Sequence, residues 1–269
     1  RDLPTEEWKN MKIRTFMSQM KMLYRQSMLV TIGFALLLAL VLIWSLPIKA
    51  QIPSNKRSEE VKKRVKPVLK AAFNDKQLSL GDPVFIRIFK SPPELEVWVK
   101  SDDNKYVMLK KYDVCTHGFS IPGPKTRQGD GKAPEGFYFV TPGRLNPWSR
   151  FHLSFNLGYP NKYDRLHGRT GANLMVHGDC ASIGCFAMTD DFIEEIYTIA
   201  VSALERGQQF IRVHIFPFRM SEANMQKNRN SKWIDFWRNL KEGYDHFEKA
   251  RVPPNVEVKN KRYVFDSSR

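Results

Sequence analysis

Near position 81 the apolar residues of this chain change from helical to alternating spacing. Residues 58–74 carry apolar side chains at helical intervals, interrupted by Pro67. After the turn at 81–83, the alternation over residues 84–89 and 95–99 predicts two strands of a hairpin. Further strands are predicted over residues 106–114, 137–140, 151–157, 174–176 and 210–216. The body of the chain is therefore expected to be rich in β-sheet.

Two stretches nearer the C-terminus predict helices and complete an α+β fold class. Residues 189–206 have helical spacing, acidic residues in the first turn and a glycine after the last. Residues 233–249 are amphipathic; their aromatic stripe is either core-facing or a surface for a protein partner. Between the strands, residues 123–136 form a long loop rich in glycine, proline and charge. The expected divisions are residues 1–50, a linker and short helix over 51–80, a catalytic domain over 81–219, and a helical extension over 220–269.

An uncharged apolar run covers residues 28–44 and follows several basic residues. This pattern is typical of a secretory signal or a membrane anchor whose N-terminus lies in the cytoplasm. A cleavage region at residues 45–50 would end at Ala50. The expected location is the periplasm, either soluble after cleavage or anchored to the inner membrane. A buried core helix is the alternative.

The formal net charge of +15 favours an anionic partner. Nucleic acid, an anionic membrane surface and an acidic wall polymer all satisfy that condition. The export signal argues against nucleic acid, and no nucleic-acid-binding motif accompanies the charge.

The segment that most clearly carries reactive side chains is residues 174–188. A short apolar strand leads into His177, and Cys185 follows eight residues later. A thiol needs a neighbouring base or positive charge to react at neutral pH, and a histidine within hydrogen-bond reach supplies one. Gly184 permits close backbone approach, so the amides of Gly184 and Cys185 are candidates for an oxyanion site. A Cys/His nucleophilic pair is therefore one reading of this segment.

Three other readings stay open on the residues alone. Cys185 is also compatible with a small buried hydrophobe, and His177 with a core histidine. A metal site would use His177, Cys180, Cys185 and another histidine, although the spacing of the two cysteines is not that of a zinc knuckle. In an oxidising compartment, Cys115 and Cys180 are candidates for a disulfide that leaves Cys185 free.

The same segment resembles the active-site motif of the L,D-transpeptidase (YkuD-type) catalytic domain, in its YafK-like branch. The matching residues are His177-Gly178 and Ser182-Ile183-Gly184-Cys185. Ile183 stands where the family motif has a second histidine, and Ala187 stands where it commonly has an arginine. Motifs typical of the branch extend the resemblance from residue 83 to residue 264; they include 123–125, 134–138, 158–161, 163–165, 185–189 and 216–220.

The resemblance implies a mixed-sheet sandwich around a Cys/His site, with no cofactor and no metal. Cys185 would attack an amide carbonyl at the L-centre of diaminopimelate in peptidoglycan stem peptides, with His177 as base and then acid. Water as acceptor gives hydrolysis, which would release a wall-linked outer-membrane lipoprotein. An amine as acceptor gives cross-links or lipoprotein attachment. Hydrolysis is the leading expectation, and a wall-binding module without catalysis is the alternative of another class.

Several further residues are candidates for supporting roles. His167 is a rival base, but it lies in a polar loop, whereas His177 follows an apolar strand. Ser182 belongs to the motif, and Asp179 is a candidate for orienting an imidazole. The candidates for binding substrate carboxylates through a guanidinium are Arg127, Arg165 and Arg169.

Overall fold

The computed structural model describes residues 11, 14–26, 28, 31, 33–34, 51–119 and 121–266. The chain divides into two compact units, Arg1–Lys49 and Ala50–Arg269. The described residues of the first unit are helical, and most of the apolar run 28–44 and the cleavage region 45–50 lie outside the described residues. Of the helices that are described, none has the length and apolar character needed to cross a bilayer.

Among its described residues, the second unit contains five α-helices, and the sequence predicts the long ones closely. The first continues through Pro67 and is capped by Asn55. The Asn55 side chain accepts the Ser58 N–H, and the Ser58 side chain accepts the Asn55 N–H. The third begins after Thr189, whose hydroxyl accepts the Phe192 N–H. The helices are α1 (Lys56–Asn74), α2 (Lys162–Leu166), α3 (Asp190–Glu205), α4 (Glu222–Lys227) and α5 (Ile234–Ala250).

A mixed five-stranded sheet has the strand order β3-β2-β1-β9-β4. Its strands are β1 (Val84–Lys90), β2 (Pro93–Lys100), β3 (Tyr106–Asp113), β4 (Gly136–Val140) and β9 (Ile211–Phe216). The predicted hairpin is confirmed as the antiparallel β1–β2 pair, while β1 runs parallel to β9. All residues of β1 are buried, so both faces of this sheet are covered.

A smaller sheet has the order β5-β6-β7-β8 and carries the chemistry-bearing segment. Its strands are β5 (Leu145–Asn146), β6 (Ser154–Asn156), β7 (Met175–His177) and β8 (Phe186–Ala187). The strand predicted over residues 151–157 is present but covers only Ser154–Asn156, fewer residues than its apolar pattern indicated. A 3-10 turn, Pro142–Arg144, precedes β5.

One hydrophobic core lies between the two sheets and α1 and α3. It joins Ile86 of β1, Phe155 of β6, Val176 of β7 and Phe186 of β8 with Ile196 of α3, all almost fully buried. Val176 and Phe186 point into this core, so their sequence neighbours His177 and Cys185 emerge on the other face of the small sheet. The mixed α+β architecture that the resemblance implied is present.

The C-terminal extension covers the second face of the five-stranded sheet. Trp237 and Phe247 of α5 are 1% exposed, and Trp233 and Tyr244 pack against a core that includes Phe89. The aromatic stripe of α5 is therefore core-facing, and the alternative of a free surface for a protein partner is wrong.

The extension is not wholly helical, which corrects the prediction for residues 220–269. It ends in an antiparallel hairpin of β10 (Asn255–Lys259) and β11 (Arg262–Asp266). The two turn residues, Asn260 and Lys261, both have positive φ, as the tightest hairpin turns require. The alternating Val256 and Val258 are the signal for this hairpin, but the run is too short and too polar to predict a strand.

Candidate active site

The nucleophile candidate lies at the junction of β7 and β8, which run parallel. His177 pairs with Ala187 in the ladder, and Val176 pairs with Phe186. Since side chains alternate along a strand, residue 185 shares a sheet face with residue 187 and therefore with His177. The short connection from His177 to Cys185 thus returns the chain beside the strand that it left.

The turn before Cys185 is closed by a serine. The Ser182 hydroxyl accepts the Gly184 N–H at 3.0 Å and donates to the Cys185 carbonyl at 2.8 Å. Gly184 has φ +148, and an added Cβ would lie 3.2 Å from the Lys132 carbonyl oxygen. A glycine is needed here because the turn and the 123–136 loop approach each other backbone to backbone.

The His177 ring is held in one tautomer and is 2% exposed. Nδ1 lies 2.6 Å from the Gly178 carbonyl oxygen and donates to it, so Nε2 carries the free lone pair of the neutral ring. The Phe151 ring covers one face of the imidazole, with centroids 4.6 Å apart. Burial lowers the pKa of His177 below its ordinary 6.5, against smaller opposing effects of the Gly178 carbonyl and the Asp179 charge. The ring is therefore a neutral base at pH 7.

Cys185 is the free cysteine of the chain and is partly buried. Its thiol points to the Asn173 carbonyl, with Sγ and oxygen 3.6 Å apart. Burial raises the pKa of the thiol, while the Met175 N–H, the Lys125 ammonium and the Ser182 hydroxyl act to lower it. No hydrogen bond joins Sγ to His177 among the described contacts. The resting pair is thus a thiol and a neutral imidazole on one sheet face.

The Cys115–Cys180 disulfide is present, with Cα atoms 5.2 Å apart. It ties the connection between His177 and Cys185 to the segment that bonds to β8, since the Cys115 N–H donates to the Ala187 carbonyl at 2.9 Å. The metal-site alternative that used Cys180 is excluded by this bond. In the described part of the chain, no group of three or more His, Cys, Asp or Glu side chains is placed to bind a metal ion.

The two amides proposed for an oxyanion site differ in their hydrogen bonding. The Gly184 N–H is already bonded to the Ser182 hydroxyl. The Cys185 N–H, within the described residues, makes no main-chain bond outside the ladder. The Gly184 amide could meet a developing oxyanion only by giving up its bond to Ser182, so the Cys185 amide is the better candidate of the two.

The positions of His167 and Asp179 do not favour the roles predicted for them. His167 is exposed and caps the C-terminal end of α2. Its Nδ1 is hydrogen-bonded to the Tyr163 carbonyl at 2.9 Å, and its ring stacks on the Tyr163 ring with centroids 4.0 Å apart. Asp179 is exposed at positive φ, and its N–H donates to Asp190. The group that orients His177 is the Gly178 carbonyl, a backbone atom that carries no sequence signal.

The three arginines fall into two classes. Arg169 is 7% exposed, and its Nη1 donates to Asp164 Oδ1 at 2.8 Å. Its guanidinium is committed to an internal ion pair. Arg165 and Arg127 are exposed; Arg165 donates to the Pro160 carbonyl, and Arg127 lies in the 123–136 loop. Only these two have guanidinium groups that a substrate carboxylate can reach.

Comparison with known proteins connects this geometry to a family. Residues 85–215 match the family model described as YkuD, the L,D-transpeptidase catalytic domain. The chain is 44% identical over 230 residues to the Escherichia coli K12 protein named "Putative L,D-transpeptidase YafK", covering 86% of this chain and 89% of that protein. The Escherichia coli O157:H7 relative gives the same values. Among solved structures, the helical cell shape determining protein Pgp2 of Campylobacter jejuni superposes with a TM-score of 0.42 at 19% identity, over 72% of this chain and 80% of that one.

Proposed function

The chain belongs to the YkuD L,D-transpeptidase catalytic-domain family, and from that premise we propose that it is a periplasmic cysteine enzyme of peptidoglycan. Its substrate is a stem peptide that contains meso-diaminopimelate, and the reaction is acyl transfer from the L-centre of that residue. Water is the acceptor that we favour, so the enzyme would release lipoprotein linked to the wall.

The observation that carries this proposal is the arrangement of Cys185 and His177. One free thiol lies on the same sheet face as a buried imidazole whose Nδ1 is fixed on the Gly178 carbonyl. A wall-binding module has no need for a fixed neutral base on the same sheet face as an unpaired cysteine, whereas nucleophilic catalysis requires both.

Each step can be assigned to groups of this chain. His177 Nε2 takes the proton of the Cys185 thiol as Sγ attacks the amide carbonyl, and the Cys185 N–H faces the oxyanion. The imidazolium then returns that proton to the leaving amine, the C–N bond breaks, and a thioester remains on Cys185. Water, deprotonated by His177, attacks the thioester and regenerates the thiol. In this proposal Sγ approaches Nε2 when substrate binds, as such contacts often tighten only then.

The choice of acceptor rests on separate grounds. The resemblance to the branch that contains a lipoprotein-releasing enzyme favours water. The name of the Escherichia coli relative favours transfer to an amine, which would form cross-links or attach lipoprotein. Both outcomes use the same thioester, so the products distinguish them.

The test incubates the protein with wall fragments that carry lipoprotein and identifies the products by mass spectrometry. Released lipoprotein with few new diaminopimelate cross-links supports hydrolysis; new cross-links without release support transfer. Cys185→Ala is the matched control, since it removes the sulfur and keeps the turn that Ser182 closes. Turnover that persists in Cys185→Ala would refute the catalytic assignment altogether.

The periplasmic location is supported by the Cys115–Cys180 disulfide, because disulfides persist in oxidising compartments. A reporter fused after Arg269 that works only in the periplasm is the expected result. A fusion that works only in the cytoplasm would contradict it.

A further inference from the structure

One peptide bond connects the imidazole of His177 to a carboxylate on α3. The carbonyl of this peptide belongs to Gly178 and accepts from His177 Nδ1 at 2.6 Å. Its N–H belongs to Asp179 and donates to Asp190 Oδ1 at 2.9 Å. An imidazole N–H, a peptide and a carboxylate therefore form one hydrogen-bonded chain. Bonds joined in this way polarise one another, so the bond to the carboxylate strengthens the bond to the ring.

The space for this carboxylate depends on a glycine. An added Cβ at Gly178 would lie 2.4 Å from Asp190 Oδ1, and 3.1 Å from both His152 Cβ and Ile193 Cγ2. The φ of Gly178 is not in the left-handed region, so its backbone conformation does not require a glycine. The glycine is needed because the carboxylate approaches the peptide closely.

Local backbone preference does not set the orientation of this peptide. The two residues that follow its carbonyl, Asp179 and Cys180, have φ of 67° and 38°. Successive non-glycine residues in this region are unfavourable, so contacts from outside the turn must hold the chain there. The Asp179 N–H is held by Asp190, and the Gly178 carbonyl is held by the His177 ring. Asp190 is thus the side chain that fixes this peptide from α3.

Asp190 is not needed to begin α3. The Thr189 hydroxyl already caps the helix through the Phe192 N–H, and Asp191 places a second carboxylate in the first turn, beside the helix dipole. Asp190 instead directs Oδ1 out of the helix, to an N–H eleven residues earlier in the chain. Two neighbouring aspartates therefore differ in whether they contact the turn after His177.

From these contacts we propose that Asp190 is a positioning residue for the base, and that it acts on His177 through the Gly178–Asp179 peptide. The inference rests on the proposed function, since it takes His177 as the base of Cys185. The carboxylate holds the Asp179 N–H and so directs the Gly178 carbonyl at Nδ1. That bond keeps the ring proton on Nδ1 and leaves on Nε2 the lone pair that accepts the thiol proton. Without the carboxylate the ring can adopt the other tautomer, in which Nε2 carries a proton and is no base.

The first test observes the tautomer and requires no substrate. The full chain is labelled with ¹⁵N-histidine, and the ring nitrogens are measured by NMR at pH 8, where burial keeps His177 neutral. The signals of His177 are those that disappear in His177→Gln. Wild type should show a protonated Nδ1 and an unprotonated Nε2. Asp190→Ala and Asp190→Ser remove the carboxylate and should show both tautomers in exchange.

Two further variants separate the hydrogen bond from the charge. Asp190→Asn loses the charge but keeps an oxygen that can accept the Asp179 N–H, so it should keep the wild-type tautomer. Asp191→Ala is the matched control, because it removes the same charge from the same helical turn without touching this bond. It should also keep the wild-type tautomer.

The second test measures acylation of Cys185 by wall fragments in single turnovers. Asp190→Ala and Asp190→Ser should slow acylation by about 10–100-fold, the range that corresponds to one hydrogen bond to a charged group. In steady state the loss should appear in kcat, with KM changed by less than about twofold, since the residue acts on the base and not on substrate binding. Asp190→Asn should recover most of the rate, and Asp191→Ala should follow the wild type.

A folded Asp190→Ala or Asp190→Ser protein, verified by thermal melting, that keeps the wild-type tautomer or the wild-type acylation rate would overturn the proposal. An equal change in Asp191→Ala would do the same. So would an Asp190→Asn protein that behaves like Asp190→Ala, since the charge and not the hydrogen bond would then be responsible. These outcomes leave the proposed function intact, because that function is tested by turnover in Cys185→Ala.

Discussion

Removing the Cys115–Cys180 disulfide should lower the free energy of unfolding by about 4 kcal/mol. The bond closes a loop with a sequence separation of 65 residues. For a loop of that length, the chain-entropy model gives roughly 4 kcal/mol of constraint on the unfolded chain. In a unit the size of Ala50–Arg269, this corresponds to a melting temperature lower by about 10 °C.

The effect on catalysis should be much smaller. The Cys180 N–H donates to the Met188 carbonyl at 3.1 Å, and the Met188 N–H donates to the His177 carbonyl at 2.7 Å. These main-chain bonds do not involve sulfur, so they keep the connection between His177 and Cys185 in place. We expect the Cys115→Ala/Cys180→Ala variant to retain acyl transfer at temperatures below its melting transition.

The assay is urea and thermal denaturation of the wild type and the double variant, each with and without a reductant. The wild type should lose stability on reduction, and the double variant should not respond. A double variant that melts within about 2 °C of the oxidised wild type would show that the disulfide does not constrain the unfolded chain as calculated.

The remaining predictions concern single side chains. Arg169→Met should destabilise the fold by about 3–5 kcal/mol in urea denaturation, because it leaves a buried carboxylate unpaired; exposed Arg165→Met should change stability by less than about 0.5 kcal/mol. Ser182→Ala, by opening the turn, should cost about 1 kcal/mol of stability and lower kcat more than it changes KM. His177→Ala should slow acylation about 10²–10⁴-fold in single-turnover measurements, whereas His167→Ala should act on KM.

The sequence predicted the larger elements because their periodicity is long and strong. The β1–β2 hairpin and α3 each have enough apolar residues for the period to be unambiguous. Strand β8 was missed, since it has two residues and exists only through its partners Val176 and His177. Such strands are set by tertiary pairing and leave no periodic pattern.

The same division holds at the site. Cys185 and His177 were predicted from a strand, a spacing and a family resemblance, and the ladder register explains why residues eight apart share one face. The groups that tune them were not predicted. The Gly178 and Asn173 carbonyls are backbone atoms with no residue-type signal. Lys125, whose charge acts to lower the pKa of the Cys185 thiol, lies sixty positions away in the 123–136 loop.

The role of His177 can be separated from a structural one by its pH dependence. Because burial disfavours the imidazolium, the pKa of His177 lies below its ordinary value, and the base is mainly neutral between pH 7 and 8. Burial also raises the pKa of the Cys185 thiol, so little thiolate exists at these pH values. The wild-type kcat/KM should therefore be nearly flat between pH 7 and 8, because the neutral base removes the thiol proton during attack.

In His177→Gln the same reaction can start only from preformed thiolate. As long as the pH is below the thiol pKa, the thiolate population rises about tenfold for each unit by which the pH is raised. Its log kcat/KM should then rise with a slope near one over the range where the wild type is flat. Glutamine offers an amide N–H for the Gly178 carbonyl, which makes it the least disruptive replacement. His167→Gln is the matched control and should keep the flat profile. A flat profile in folded His177→Gln, or a slope near one in His167→Gln, would mean that His177 is not the base and that its buried ring serves packing alone.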